Sequence, residues 1–111
     1  MIAVLAALSA AMAIGAGAFG AHGAPSAQAA DWLRTGGIYQ LIHAVAVIAL
    51  GSLPGGRGPL WALLGGSALF AATLYAMAVG APHWLGAITP IGGAVMILGW
   101  LWAAWRFSRA G

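Results

Sequence analysis

This 111-residue chain has no cysteine, no lysine and a single acid, Asp31. The absence of cysteine excludes a disulfide scaffold, a thiolate metal site and thiol catalysis. One acid, placed outside the apolar runs, leaves no intramembrane carboxylate of the kind on which proton-coupled exporters of similar size depend. Without lysine, the only cations are Arg34, Arg57, Arg106 and Arg109, and against Asp31 they give a formal charge of +3. The sequence pI of about 10.8 would suit a nucleic-acid binder. Four scattered arginines make no basic patch, however, so nucleic acid is not expected as a partner.

What the chain does have is apolar surface. Hydrophobic residues make up 63% and charged residues 5%, against soluble norms of roughly 45–50% and 25%. The length fits one domain. Four apolar runs are read as membrane spans, at about 1–21, 37–53, 60–80 and 85–105. The first, Met1 to Ala21, carries only Ser9 as a weakly polar side chain; as a helix it would be about 30 Å long, the thickness of the hydrocarbon core. Ala27-Gln28-Ala29 fits a signal-peptide cleavage pattern, but no Lys or Arg precedes the run and the run exceeds a typical signal core. The span reading is therefore preferred, with the bilayer as the principal partner.

Small residues recur every fourth position in the first run (Ser9, Ala13, Gly17, Ala21) and again in the third (Ala68, Ala72, Ala76, Gly80). Such stripes let helix backbones approach closely in lipid, so Gly17 and Ala72 are expected in tight contacts. Pro25-Ser26 can start a short surface-lying helix with Ser26 as N-cap, on which Asp31 and Arg34 could pair. Pro54 to Pro59 is a turn, and Thr89-Pro90 should kink or restart the fourth helix. The expectation is an all-α integral membrane bundle of four transmembrane helices with short loops. Arg57, Arg106 and Arg109 would lie on one side and Arg34 on the other, which places both termini in the cytoplasm of an inner-membrane protein.

Threaded on this topology, His22, Tyr39, Gln40, His43, Tyr75 and Thr89 fall in the non-cytoplasmic half or at its rim. Polar groups in hydrocarbon are costly unless partnered. Each has a structural reading: His43 as a histidine bonded to a neighbouring helix, Tyr39 and Tyr75 as interface aromatics, Thr89 as a cap, His22 as a partner for a freed carbonyl. Their clustering favours one shared cavity, with His43, Tyr39, Tyr75 and Thr89 converging between spans two, three and four, and His22 closing the top.

Gly17-Ala-Phe-Gly-Ala-His-Gly23, Tyr39-Gln-Leu-Ile-His43, Leu74-Tyr75, Thr89-Pro-Ile-Gly-Gly93 and Gly99-Trp100 together resemble the YgdD-like family of small inner-membrane proteins of unknown function. The family's Phe-Ser-Gly-Ser-Leu-Tyr-like segment reads Phe70-Ala-Ala-Thr-Leu-Tyr75 here, so its serine hydroxyls are missing. The resemblance implies four spans and no established activity. No enzyme is expected, because no serine lies near a histidine in this topology, and no cofactor is assigned. The preferred function is a membrane module whose polar cluster binds a small ligand, a lipid or a partner protein, which includes another copy of the chain. The alternatives are a facilitative transporter and a haem or metal protein using His22 and His43.

Overall fold

A computed structural model describes residues 1–110. Helices α1 (Ile2–His22), α2 (Ala27–Leu50), α3 (Gly58–Ala78) and α4 (Thr89–Ala110) make up nearly all of it, with a 3₁₀ turn at His83–Ala87 leading into α4. All four segments are long and apolar enough to cross a membrane. Large apolar side chains such as Ile14, Ile42, Ile97 and Leu101 point outward, each more than half exposed. In a bilayer that surface faces acyl chains rather than water.

The helix ends follow from local chemistry. Gly23 donates its N–H to Phe19 O at 2.7 Å and ends α1. Ser26 then caps α2, its hydroxyl accepting from the Ala29 N–H at 3.0 Å. The surface-lying helix expected before span two is not a separate element, because its residues are the first turns of α2. Gly36 and Gly37, at the expected start of span two, are contact points inside a continuous helix. A methyl on Gly36 would lie 2.7 Å from the Tyr75 ring, and one on Gly37 would lie 3.1 Å from Ala13 O. Asp31 consequently lies on α2 rather than in a loop, exposed and 3.8 Å from Arg34.

At the far end of α3, Gly80 takes a φ of 107°, and Ala81 N–H reaches back to Ala76 O at 2.9 Å. That six-to-one bond with a left-handed glycine stops the helix. The chain then restarts at Thr89-Pro90 after the 3₁₀ turn. Proline at the second helical position is tolerated because an N–H there would have no intrahelical partner.

The four helices form a bundle packed mainly in sequence order. α1 packs on α2, α2 on α3 and α3 on α4; α1 touches α3 only marginally, and the two end helices do not meet. The closest approach is between α3 and α4, where a methyl on Gly92 would fall 2.6 Å from Phe70 N and 2.7 Å from Gly66 O.

The first expected small-residue stripe is in the interface only at Ser9 and Ala13, and the second faces outward at Ala68 and Ala72. On α1 the buried positions are Ile2, Ala6, Ser9 and Ala13, continued by the partly buried Ala16 and Gly20. A methyl on Gly17 would meet nothing within 4 Å. At about 100° per residue, strict four-residue spacing turns about 40° per step, so the stripe rotates out of the contact. On α3, Ala68 and Ala72 are exposed from the start of the stripe, and only Ala76 is partly buried.

Two apolar clusters close the ends of the interior. One joins Ile2, Ala6, Val47, Leu60, Leu63 and Leu64; the other joins Ala29, Leu33 and Ala78, with Trp32 and Tyr75 packed against it. Between them lie the buried polar residues Ser9, Gln40, His43, Ser67 and Thr73.

Candidate functional site

Gln40 sits near the middle of α2 and is 3% exposed. Its amide oxygen accepts from the Tyr75 hydroxyl of α3 at 2.6 Å. Its amide nitrogen donates to Ser9 Oγ of α1 at 2.9 Å and makes a longer contact to Met12 Sδ at 3.6 Å. One side chain thus ties three helices, and its two ends are fixed: the oxygen must accept and the nitrogen must donate. Protons run from Tyr75 to Gln40 to Ser9. The Ser9 hydroxyl still has its own proton to give, and no acceptor for it occurs among the described residues.

This chain of hydrogen bonds forms the back of a cleft of about 490 Å³ between α1 and α3. Leu5, Leu8 and Met12 form one wall and Trp61, Ala68 and Ala72 the other, with Ser9, Gln40 and Tyr75 as the polar floor. The volume falls within the range of small-molecule sites, roughly 300–1,000 Å³. The exposed Ala68 and Ala72 keep the α3 wall low, which is why the cleft stays open.

His43 belongs to a different group. Its Nε2 accepts from Trp100 Nε1 of α4 at 3.0 Å, and its Nδ1 lies 2.7 Å from Tyr39 O. Indole N–H can only donate and a carbonyl can only accept, so the ring carries its proton on Nδ1. Both nitrogens are engaged, and His43 is 5% exposed. The rings of Phe70, Tyr39, His43 and Trp100 follow one another with centroids 4.9, 6.4 and 5.9 Å apart. They flank a second, smaller cleft of about 340 Å³ beside α4.

Thr89 pairs with Thr73 at 2.7 Å, and each hydroxyl also has a backbone carbonyl of the preceding turn within reach. His22 is exposed at the end of α1, without a side-chain hydrogen bond among the described residues.

The six residues singled out in the sequence therefore do not converge on one cavity. Gln40 and Tyr75 meet, Tyr39 and His43 meet, Thr89 stands with Thr73, and His22 is apart. Nor are the six confined to one half. His43 is about 24 Å along α2 from its start and about 10 Å from its end, because α2 begins at Ala27 rather than near residue 37. Ser9, Thr73 and Trp100 were missed as partners. Ser9 was visible as the one polar side chain of the first run, and Trp100 as part of the Gly99-Trp100 motif.

The family model described as "Protein of unknown function (DUF423)" matches residues 16–93, which spans Gln40, His43, Thr73, Tyr75 and Thr89. The chain belongs to this family. A UPF0382 membrane protein of Staphylococcus saprophyticus is 39% identical over 106 residues, covering 88% of each chain. One of Haemophilus influenzae is also 39% identical, over 87% of this chain and 85% of its own. The UPF0382 membrane protein YwdK of Bacillus subtilis is 35% identical over 88% of both. No solved structure matches the chain. This DUF423 chain is thus a small membrane protein whose relatives' names state no activity, in agreement with its composition and its four spans.

Proposed function

We propose that this protein is a non-enzymatic module of the cell inner membrane, with both termini cytoplasmic. In this reading the α1–α3 cleft holds a neutral, mainly apolar molecule that carries a hydrogen-bond acceptor. The observation that carries it is the directional Tyr75–Gln40–Ser9 chain, which ends on a hydroxyl with a proton to donate in the wall of an otherwise apolar cleft. A buried polar chain in hydrocarbon is stable only when its groups are paired. A carbonyl or ether oxygen on the bound molecule would complete the pairing at Ser9, and Leu5, Leu8 and Trp61 would cover the rest. The motif set supports assigning the family the finer YgdD-like name, and the arginine asymmetry supports the orientation.

Transport and haem binding fit less well. The cleft runs along the flank of the helices and opens toward the acyl chains rather than along the membrane normal. Haem ligation would need a free lone pair on His43, and that lone pair is taken by Trp100.

The test is Ser9→Ala, which removes the hydroxyl and leaves the Gln40 amide nitrogen with Met12 Sδ at 3.6 Å as its remaining partner. The wild type, purified in mild detergent and extracted with organic solvent, should yield a carbonyl- or ether-bearing lipid in mass spectrometry. The variant should stay folded and yield several-fold less. Equal recovery of the same molecule from both would sink the reading.

A further inference from the structure

The end of the molecule where α4 finishes has a built feature that neither cleft uses. The loop between α2 and α3 folds back on α4 through two left-handed glycines, Gly55 with φ 135° and Gly56 with φ 79°. A methyl on Gly56 would lie 2.7 Å from a terminal nitrogen of Arg106, and one on Gly55 would lie 3.1 Å from the Phe107 ring. The Arg106 guanidinium therefore rests against bare loop backbone, one residue from Arg57. Arg109 stands beyond it, with its guanidinium carbon 5.5 Å from the centre of the Trp105 ring.

None of these three arginines pairs with a carboxylate among the described residues. The one acid, Asp31, sits at the opposite end beside Arg34. Arginines brought to one end without an acid repel each other, and a bridging anion relieves that repulsion. Arginine presents a planar fork of donors that matches phosphate oxygens in pairs.

The surroundings indicate which kind of phosphate. Trp102 packs over Gly58, and Trp105 is 55% exposed. Tryptophan settles at the headgroup level of a bilayer, so the arginines lie at the depth of lipid phosphates. Below them Leu101 gives an exposed apolar flank for acyl chains.

We propose that this end is a binding site for the headgroup of an anionic phospholipid, with its phosphodiester seated between Arg57 and Arg106 and Arg109 at the rim. The Gly55–Gly56 turn holds the Arg106 fork in place, so the site is a shaped seat rather than diffuse positive charge. The proposal is independent of what the α1–α3 cleft binds.

The test is a native mass-spectrometry titration of the full-length protein in detergent, with phosphatidylglycerol and phosphatidylcholine of the same acyl chains. Phosphatidylglycerol should bind about tenfold tighter. Arg57→Gln and Arg106→Gln should each weaken it about fivefold, the affinity equivalent of one cation at an anionic surface. Arg34→Gln, at the other end, should have no effect. Gly56→Ala changes no charge but displaces Arg106, and should weaken binding several-fold. Equal binding of the two lipids would overturn the proposal. So would wild-type affinity in Arg57→Gln, an exposed position that leaves the fold intact. Full affinity in Gly56→Ala would refute the shaped seat, and displacement of the lipid by millimolar inorganic phosphate would assign the site to a free anion.

Discussion

Gly92→Ala is a sharp test of the packing, because the added methyl has nowhere to go. It would sit 2.6 Å from Phe70 N, 2.7 Å from Gly66 O and 2.9 Å from Phe70 Cα, where relaxed contacts lie near 3.5–4.0 Å. All three atoms are backbone, so no rotamer change yields the missing ~1 Å; α3 and α4 must separate. Overpacking costs about 1–3 kcal/mol where side chains can adjust, and a backbone crossing belongs at the top of that range. Replacing a helical glycine by alanine also gains up to about 1 kcal/mol of propensity, which leaves a net loss near 2 kcal/mol. Gly17→Ala has the same propensity gain and meets nothing within 4 Å, so it is the reference. The difference between the two variants, about 3 kcal/mol, is free of the propensity term. Reversible unfolding in mixed micelles measures it. Should Gly92→Ala fall within 1 kcal/mol of Gly17→Ala, the crossing at Gly66 and Gly92 is not where the structure puts it.

Trp100→Phe removes the donor to His43 Nε2 and leaves that nitrogen unpaired. We expect a stability loss of about 1–2 kcal/mol and a moved Nε2 resonance in nitrogen NMR; an unchanged resonance would mean that the bond is absent. The orientation is tested by Gln28→Cys and Ser52→Cys, both exposed, in a chain without native cysteine. An impermeant thiol reagent applied to intact cells should label residue 28 and spare residue 52, and the reverse pattern would invert the topology.

The four spans were legible because hydrocarbon demands long apolar helices, and the chain supplies four runs parted by Pro25-Ser26, Pro54 to Pro59 and Ala81-Pro82. Ser26 as N-cap and the restart at Thr89-Pro90 were legible too, since each depends on one residue's local chemistry. The start of α2 was misplaced by about ten residues. Thr35-Gly36-Gly37 has the composition of a break, and only the partner helix reveals that these glycines make room for Tyr75 and for the Ala13 carbonyl. The stripe on α1 leaves the contact after Ala13 for a related reason. Spacing shows that small residues share a face, but the 40° drift per four residues decides whether that face stays in contact over several turns.

The polar residues show the same limit. Sequence alone names Tyr39, Gln40, His43, Tyr75 and Thr89 as groups that lipid cannot accommodate, but partners depend on rotation about each axis and on which helices are neighbours. Gln40 and His43 are three residues apart, so their directions differ by about 60°, enough to send one toward α1 and α3 and the other toward α4. The result is four side-chain links between helices: Gln40–Ser9 joins α1 to α2, Gln40–Tyr75 joins α2 to α3, His43–Trp100 joins α2 to α4, and Thr73–Thr89 joins α3 to α4. Apolar packing in lipid tolerates sliding, because a helix shifted by a turn still meets methyl groups. Such a shift would strand every one of these polar groups in hydrocarbon, at a cost that bonds worth only about 1–2 kcal/mol each do not suggest by themselves. The belt therefore sets the register of the helices, and the apolar clusters above and below it only have to fill space. Ser9 alone in this belt keeps a proton without an acceptor among the described residues, and it is the residue that opens onto the α1–α3 cleft.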